Sequence, residues 1–279
     1  MREFDVQLLT DAVRRMAAQS NQILSPDVYA GLVRARESED GLTAQSILDD
    51  ILRNADLAAG KAMPICQDTG MALVFLQVGR DIHFQGDPYE AIQEGVRQAY
   101  EENYLRKSIV KDPLRRINTG DNTPAMIYTE LIAGNQVKVS FAAKGFGSEN
   151  MSQLAMLKPA DGVEGVKRFI LKAAREAGPN ACPPIVIGVG IGGNFDKSAL
   201  LAKQALMRPL DVRNCDPFYA ALEDELLEQV NNSGIGPMGL GGRTSALAVS
   251  IEVLPTHIAG LPVAVNINCH ATRHAEEVL

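Results

Sequence analysis

NACPPIVIGVGIGGNFDKSALLAKQAL, residues 180–206, decides the fold class. A cysteine and two prolines make a turn. A short apolar run interrupted by glycines follows, and Asn194-Phe-Asp-Lys then opens a segment with helical spacing. A short apolar run bounded by proline and glycine reads as a buried strand, and the period of three and four after it reads as a helix. A strand that runs on through a glycine turn into a helix predicts a mixed α/β chain.

Working outward toward the N-terminus, residues 1–60 read as helices. Val6, Leu9, Val13 and Met16 recur at three and four, Ser25-Pro26 supplies a cap and a first-turn proline, and a third helix is expected over 43–57. Beyond Pro64 a polar turn leads to a strand over 72–78, a helix over 88–104, and strands over 125–132 and 136–142. Ala133-Gly134-Asn135 joins the last two in the manner of a hairpin. A helix over 162–176 precedes the opening stretch. After it come a helix over 217–231, the glycine-rich GIGPMGLGGRTS, and strands over 246–253 and 262–268, the second ending at Cys269. The expectation is one compact mixed α/β (α+β) domain, 1–279, with a helical N-terminal lobe at 1–60 and mixed sheets carrying the cysteine loops.

The 279 residues are 46% hydrophobic and carry a net charge of −7. No basic block suggests nucleic-acid binding. No uncharged apolar run reaches the roughly 18 residues of a membrane span, and 1–18 mixes both charge signs, unlike a signal peptide. Four widely spaced cysteines suit a reducing, cytoplasmic setting and metal binding or catalysis more than bridges.

Three of those cysteines share a setting. Cys66 precedes Gln-Asp-Thr-Gly, Cys182 precedes Pro-Pro and a strand, and Cys269 ends a strand; Cys215 in RNCDP has no such context. Three thiolates can hold three irons of a cubic cluster and leave the fourth open as a Lewis acid. Spacing alone fits equally three inert buried thiols, or a zinc site completed by His270 or His274. Gly188-Val-Gly-Ile-Gly-Gly193 also fits a dinucleotide fingerprint with Asp211 downstream; the plainer reading is close strand–helix packing. KGFGSEN, 144–150, is either an anion-binding turn or an ordinary one. Arg106, Arg115 and Arg116 are candidate carboxylate clamps or surface charges. Asp68, two residues past Cys66, is a candidate proton carrier, and His257 a candidate acid, base or orienting group.

CQDTG, ENYLRKS, NTGDNTPA, KGFGSEN, NACPP with IGVGIGG, GIGPMGLGG and NINCHATRHA together resemble the class I fumarate hydratases, in particular the alpha subunit of their two-subunit form. The resemblance runs from about residue 40 to the end. It implies a 4Fe–4S cluster on Cys66, Cys182 and Cys269, substrate contacts from Gln67, Asp68, Arg106, Gly147 and Asn150, and a place near the active site for His257. Phe146 stands where that family usually has a glycine. It further implies a separate beta subunit, a heterotetramer of two alpha and two beta chains, a small dicarboxylate substrate and an alpha chain inactive alone. Reversible hydration of fumarate to malate is the activity implied. L-tartrate dehydratase and mesaconate hydratase alpha subunits are alternatives within the same chemistry, and a dinucleotide-binding oxidoreductase is the alternative outside it.

Overall fold

Ten strands and eight α-helices are spread along the chain in a computed structural model that describes residues 1–279. In chain order they are β1 (Arg2–Asp5), α1 (Gln7–Gln22), α2 (Pro26–Ser38), α3 (Leu42–Lys61), β2 (Met71–Gly79), β3 (Ile82–Gln85), α4 (Pro88–Glu102), β4 (Met126–Ile132), β5 (Val137–Lys144) and α5 (Phe146–Glu149). There follow β6 (Gln153–Leu157), α6 (Gly162–Ala177), β7 (Ile185–Gly193), α7 (Phe195–Ala205), α8 (Pro217–Asn231), β8 (Ala246–Thr256), β9 (Leu261–Asn268) and β10 (His274–Val278). The mixed α/β reading holds. No helix is long and apolar enough to cross a membrane.

The chain divides into two compact units: residues 1–25, 54–146 and 273–279 in the first, 26–53 and 147–272 in the second. The helical N-terminal stretch is thus shared out, α1 belonging to the first unit and α2 to the second.

In the first unit a four-stranded sheet has the order β10-β5-β2-β4. The two strands expected to form a hairpin, β4 and β5, are not neighbours: β2 lies between them, parallel to β4 and antiparallel to β5. The reason is in β2 itself, whose residues Ala72 to Leu76 are all buried and so claim the centre of the sheet. Its end occupies the 133–136 turn, because Gly79 N–H donates to Gln136 O at 2.8 Å and Asp81 N–H to Gly134 O at 3.0 Å. Helices α1 and α4 pack together on the sheet, around a core that includes Leu9, Met16, Leu76, Ile92, Tyr100 and Phe141. Asp87 caps α4 by accepting from the N–H groups of Tyr89 and Glu90, with Pro88 in the first turn.

The second unit holds the sheet β6-β9-β7-β8. Strand β7, the centre of the opening stretch, runs parallel to β8 and antiparallel to β9. Gly188 and Gly190 lie inside this strand. A Cβ on Gly188 would overlap the carbonyl oxygen of Ala202, and one on Gly190 that of Ser198, both in α7. These glycines let α7 sit directly on the sheet, and the dinucleotide alternative loses its footing: Gly188 to Gly193 are strand, not a phosphate-binding turn.

Candidate active site

In the first unit a buried polar network ties together five of the segments picked out from the sequence. Cys66 and Asp68 are partly buried and Gln67 exposed in the turn before β2. Gly70, at φ +78, ends that turn, and a Cβ there would lie 2.8 Å from the backbone of Ala143 and Lys144. Only glycine permits the turn to approach the end of β5 so closely. The Asp68 carboxylate spans the gap. Oδ1 accepts the Gly70 N–H at 3.0 Å, and Oδ2 accepts the Phe146 N–H, in KGFGSEN, at 2.9 Å. Each oxygen keeps a lone pair for a proton or a ligand.

Tyr100, wholly buried on α4, donates its hydroxyl to the carbonyls of Thr69 (2.7 Å) and Gly70 (2.9 Å). Burial pushes this phenol far above its ordinary range, with Arg273 opposing and Asp68 adding to the rise, so Tyr100 acts as a neutral donor. Asn122, also fully buried, donates to Gly70 O at 3.2 Å and accepts the Ser108 N–H at 2.7 Å. Thr69 Oγ1 donates to Arg106 O at 3.2 Å. The LRKS and NTGDN segments are thereby fastened to the cysteine turn. Arg106 is exposed, its backbone fixed and its side chain open to solvent; Arg115 and Arg116 are exposed as well.

Arg273, four residues past Cys269 in the chain, is, like Tyr100 and Asn122, a member of this network that sequence reading passed over. Only 3% exposed, it donates from Nη1 to Asp68 O (2.6 Å) and to Asn21 Oδ1 (3.0 Å). The signal available was its place in CHATRH, where an arginine just before a strand reads equally well as a surface charge.

In the second unit Cys182 and Cys269 come to one end of the sheet, because β7 and β9 pair Val186 with Asn268. His270 joins their loops: its N–H donates to Cys182 O at 3.3 Å, and its Nδ1 lies 3.0 Å from the same carbonyl. A carbonyl only accepts, so Nδ1 carries a proton here. Cys182 adopts a left-handed backbone, φ +52 and ψ +66. A non-glycine residue held there marks an over-determined position. Its surroundings supply the constraint, since Met238 N–H donates to Pro183 O at 2.7 Å and a Cβ on Gly239 would overlap Pro179. The GIGPMGLGG segment is therefore a buttress for the cysteine loop. Gly147 and Asn150 are exposed, and the Cβ that Gly147 lacks would stand 3.6 Å from Asn180 O. Glu149 anchors this turn, accepting from Lys203 and, at 2.7 Å, from Asn266 Nδ2.

His257 is not brought to these cysteines. It is exposed in the β8–β9 turn, accepting the Ala259 N–H on Nδ1 at 3.2 Å. Gly193 pairs with Thr256 at that end of the sheet, whereas Cys182 and Cys269 lie at the other. The rise of a strand puts roughly 25 Å between the two ends. Within its own chain, then, His257 stands apart from Cys182 and Cys269.

The donor chemistry fits an iron–sulfur cluster. No cysteine forms a disulfide, and Cys66, Cys182 and Cys269 are each partly buried, whereas Cys215 is exposed. No three Cys, His, Asp or Glu side chains stand gathered as a ready ligand set.

The family model for fumarate hydratase (Fumerase) matches residues 10–278. The chain belongs to this family. Among fumarase-family relatives, the putative L(+)-tartrate dehydratase subunit alpha of Methanocaldococcus jannaschii is 42% identical over 274 residues, 96% of each chain. The L(+)-tartrate dehydratase alpha subunits of Escherichia coli (strain K12) and Shigella sonnei (strain Ss046) are each 30% identical over 272 residues, 96% of this chain and 89% of theirs. The family resemblance read from the motifs is thus established, and with it membership among the hydro-lyases.

Proposed function

We propose that this chain is the cluster-bearing alpha subunit of a hydro-lyase acting reversibly on a four-carbon hydroxy-dicarboxylate, working with a separate beta subunit. What carries the reading is the Asp68 carboxylate, pinned by two main-chain N–H groups beside Cys66, in a chain matched over 96% of its length by its relatives. The names of those relatives favour L-tartrate as substrate; the family model favours fumarate and malate equally. A heterotetramer of two alpha and two beta chains, in a reducing cytoplasmic setting, remains the assembly proposed.

Cys66, Cys182 and Cys269 would hold a 4Fe–4S cluster. When bound, such a cluster with three protein thiolates supplies an open Lewis-acidic iron. The residues of the chain then have separate tasks. Arg106, with its backbone fixed and its side chain in solvent, takes one carboxylate of the substrate in a forked pair. Gln67, Gly147 and Asn150 orient the rest through an amide, a close backbone and a second amide. Asp68 Oδ2 holds the proton that accompanies the departing hydroxyl, the Phe146 N–H keeping that oxygen in one place. A base from the beta subunit takes the proton from carbon. The charge that develops on the adjacent carboxylate is met by the same arginine.

The test is steady-state kinetics of the anaerobically copurified alpha and beta chains on L-tartrate, malate, fumarate and mesaconate. Turnover of at least one, absent from alpha alone, is expected. No turnover of any of them by a complex with full iron content would overturn the reading.

A further inference from the structure

We propose that Arg273 is a positioning residue for Asp68: its guanidinium fixes the cysteine turn from beneath so that the Asp68 carboxylate faces the substrate in a single orientation. The inference deepens the hydro-lyase reading and rests on it.

Three observations converge. First, Arg273 is buried yet forms no ion pair; its strongest bond, at 2.6 Å, is to the main-chain carbonyl of Asp68. A guanidinium taken out of water needs compensation, and two neutral oxygens (Asp68 O and Asn21 Oδ1) leave it short. Its Nε is buried with no partner at all. Second, Arg273 Nη2 and Asp68 Oδ2 both lie against the Cβ position that Gly145 lacks, at 3.3 and 3.4 Å. The guanidinium and the carboxylate oxygen that the Phe146 N–H already holds thus crowd the same spot on Gly145, with no ion pair between them. Third, the arginine is itself immobilised. Its carbonyl accepts the Ala143 N–H at 3.1 Å where β10 meets β5, and Asn21 donates its amide to Ala17 O at 2.9 Å while receiving Nη1. A rigid donor under the Asp68 carbonyl restricts the turn, and with it the carboxylate that the turn carries. Arg273 touches neither substrate nor cluster in this scheme; it acts through Asp68.

The experiment compares Arg273→Met, which keeps volume and loses charge, with Arg273→Lys, which keeps charge and loses the fork, and with Asn21→Ala, which loosens the arginine and leaves it present. All are made in the copurified alpha–beta complex. For Arg273→Met, kcat should fall on the order of 10- to 100-fold, the usual cost of removing such a supporting group, with KM changed by less than about threefold because the carboxylate clamps are intact. Arg273→Lys should recover part of kcat, and Asn21→Ala should lie between. Amide hydrogen exchange gives a readout independent of turnover. The Gly70 and Phe146 N–H groups should exchange faster in Arg273→Met while interior amides of β2 and β5 keep their protection. Uniform loss of protection across the first unit, or unchanged kcat with unchanged exchange at Gly70 and Phe146, would overturn the proposal. If Arg273→Met does not fold, the Lys and Asn21 variants decide. If the wild-type complex turns over none of the four acids, the functional reading fails, and the exchange pattern at Gly70 and Phe146 still decides whether Arg273 holds Asp68.

Discussion

Replacing Tyr100 by Phe removes one oxygen atom from the middle of the first unit and leaves its shape intact. Tyr100 is 0% exposed, so no water can enter in place of the hydroxyl. That hydroxyl serves two carbonyls, but the two are not equally dependent on it. Gly70 O also receives the Asn122 amide at 3.2 Å, whereas Thr69 O has only the tyrosine, at 2.7 Å. The substitution therefore orphans one buried carbonyl, which costs about 1–3 kcal/mol. No cavity term is added, because the ring stays. Tyr89→Phe is the internal control: its hydroxyl meets Thr129 Oγ1 at 2.9 Å, but the residue is 49% exposed and water can substitute. That change should cost less than about 0.5 kcal/mol. Urea titration of both variants followed by far-ultraviolet circular dichroism measures the difference, with the transition attributed to the unit that moves. Because Thr69 and Gly70 directly follow Asp68, Tyr100→Phe should also lower kcat while Tyr89→Phe does not. Equal stabilities for the two variants would refute the argument that the Tyr100 hydroxyl holds the cysteine turn.

Other expectations are as direct. Gly190→Ala drives a methyl group into the Ser198 carbonyl of α7, so the second unit should lose at least about 1–3 kcal/mol of stability, read as a melting temperature lower by several degrees. Glu252, lifted above its ordinary 4.5 by burial and by Glu223 despite Arg208, binds a proton more readily in the fold than in the unfolded chain. Its stabilising effect is thus fully present below 4.5 and is lost as pH rises through the lifted value. The wild type should gain stability relative to Glu252→Gln when acidified from neutrality, and a pH series of denaturation midpoints checks it. His257→Asn tests the acid, base or orienting role proposed for this exposed residue: kcat should fall, and unchanged kcat and KM would remove it from the chemistry. Cys215→Ser should retain both iron and turnover, since that thiol is exposed while the other three are partly buried.

Elements with a strong local period were legible from sequence: the three N-terminal helices, α4 behind its Asp-Pro cap, and the buried β7 within two residues of proline and glycine stops. The β4–β5 pairing was misread because the turn residues between them are those of a hairpin. What separates the strands is long-range, namely β2, buried from Ala72 to Leu76, taking the sheet centre. Short strands such as β1, β3, β6 and β10 were missed for the same reason: their partners lie far away in sequence, and four or five residues carry little period. Cys66, Asp68, Cys182 and Cys269 could be picked out as candidates because cysteine and aspartate beside turns are chemically specific. Arg273, Tyr100, Asn122 and Glu149 were not. Their importance comes from burial and from which carbonyl or amide each one meets, neither of which sequence spacing records. His257 was picked out as a histidine near glycine and proline, and only the strand register places it at the opposite end of the sheet from Cys182 and Cys269.

The claim on which the account depends is that three thiols of this chain hold a cluster with one iron left open. Iron and acid-labile sulfide content of the anaerobically copurified complex tests it most directly, with Cys66→Ser, Cys182→Ser and Cys269→Ser alongside. About four irons and four sulfides per alpha chain are predicted for the wild type and for Cys215→Ser, with loss of both in each of the other three variants. A wild-type complex that dehydrates its substrate at full rate without iron, or three serine variants that keep their iron, would contradict it.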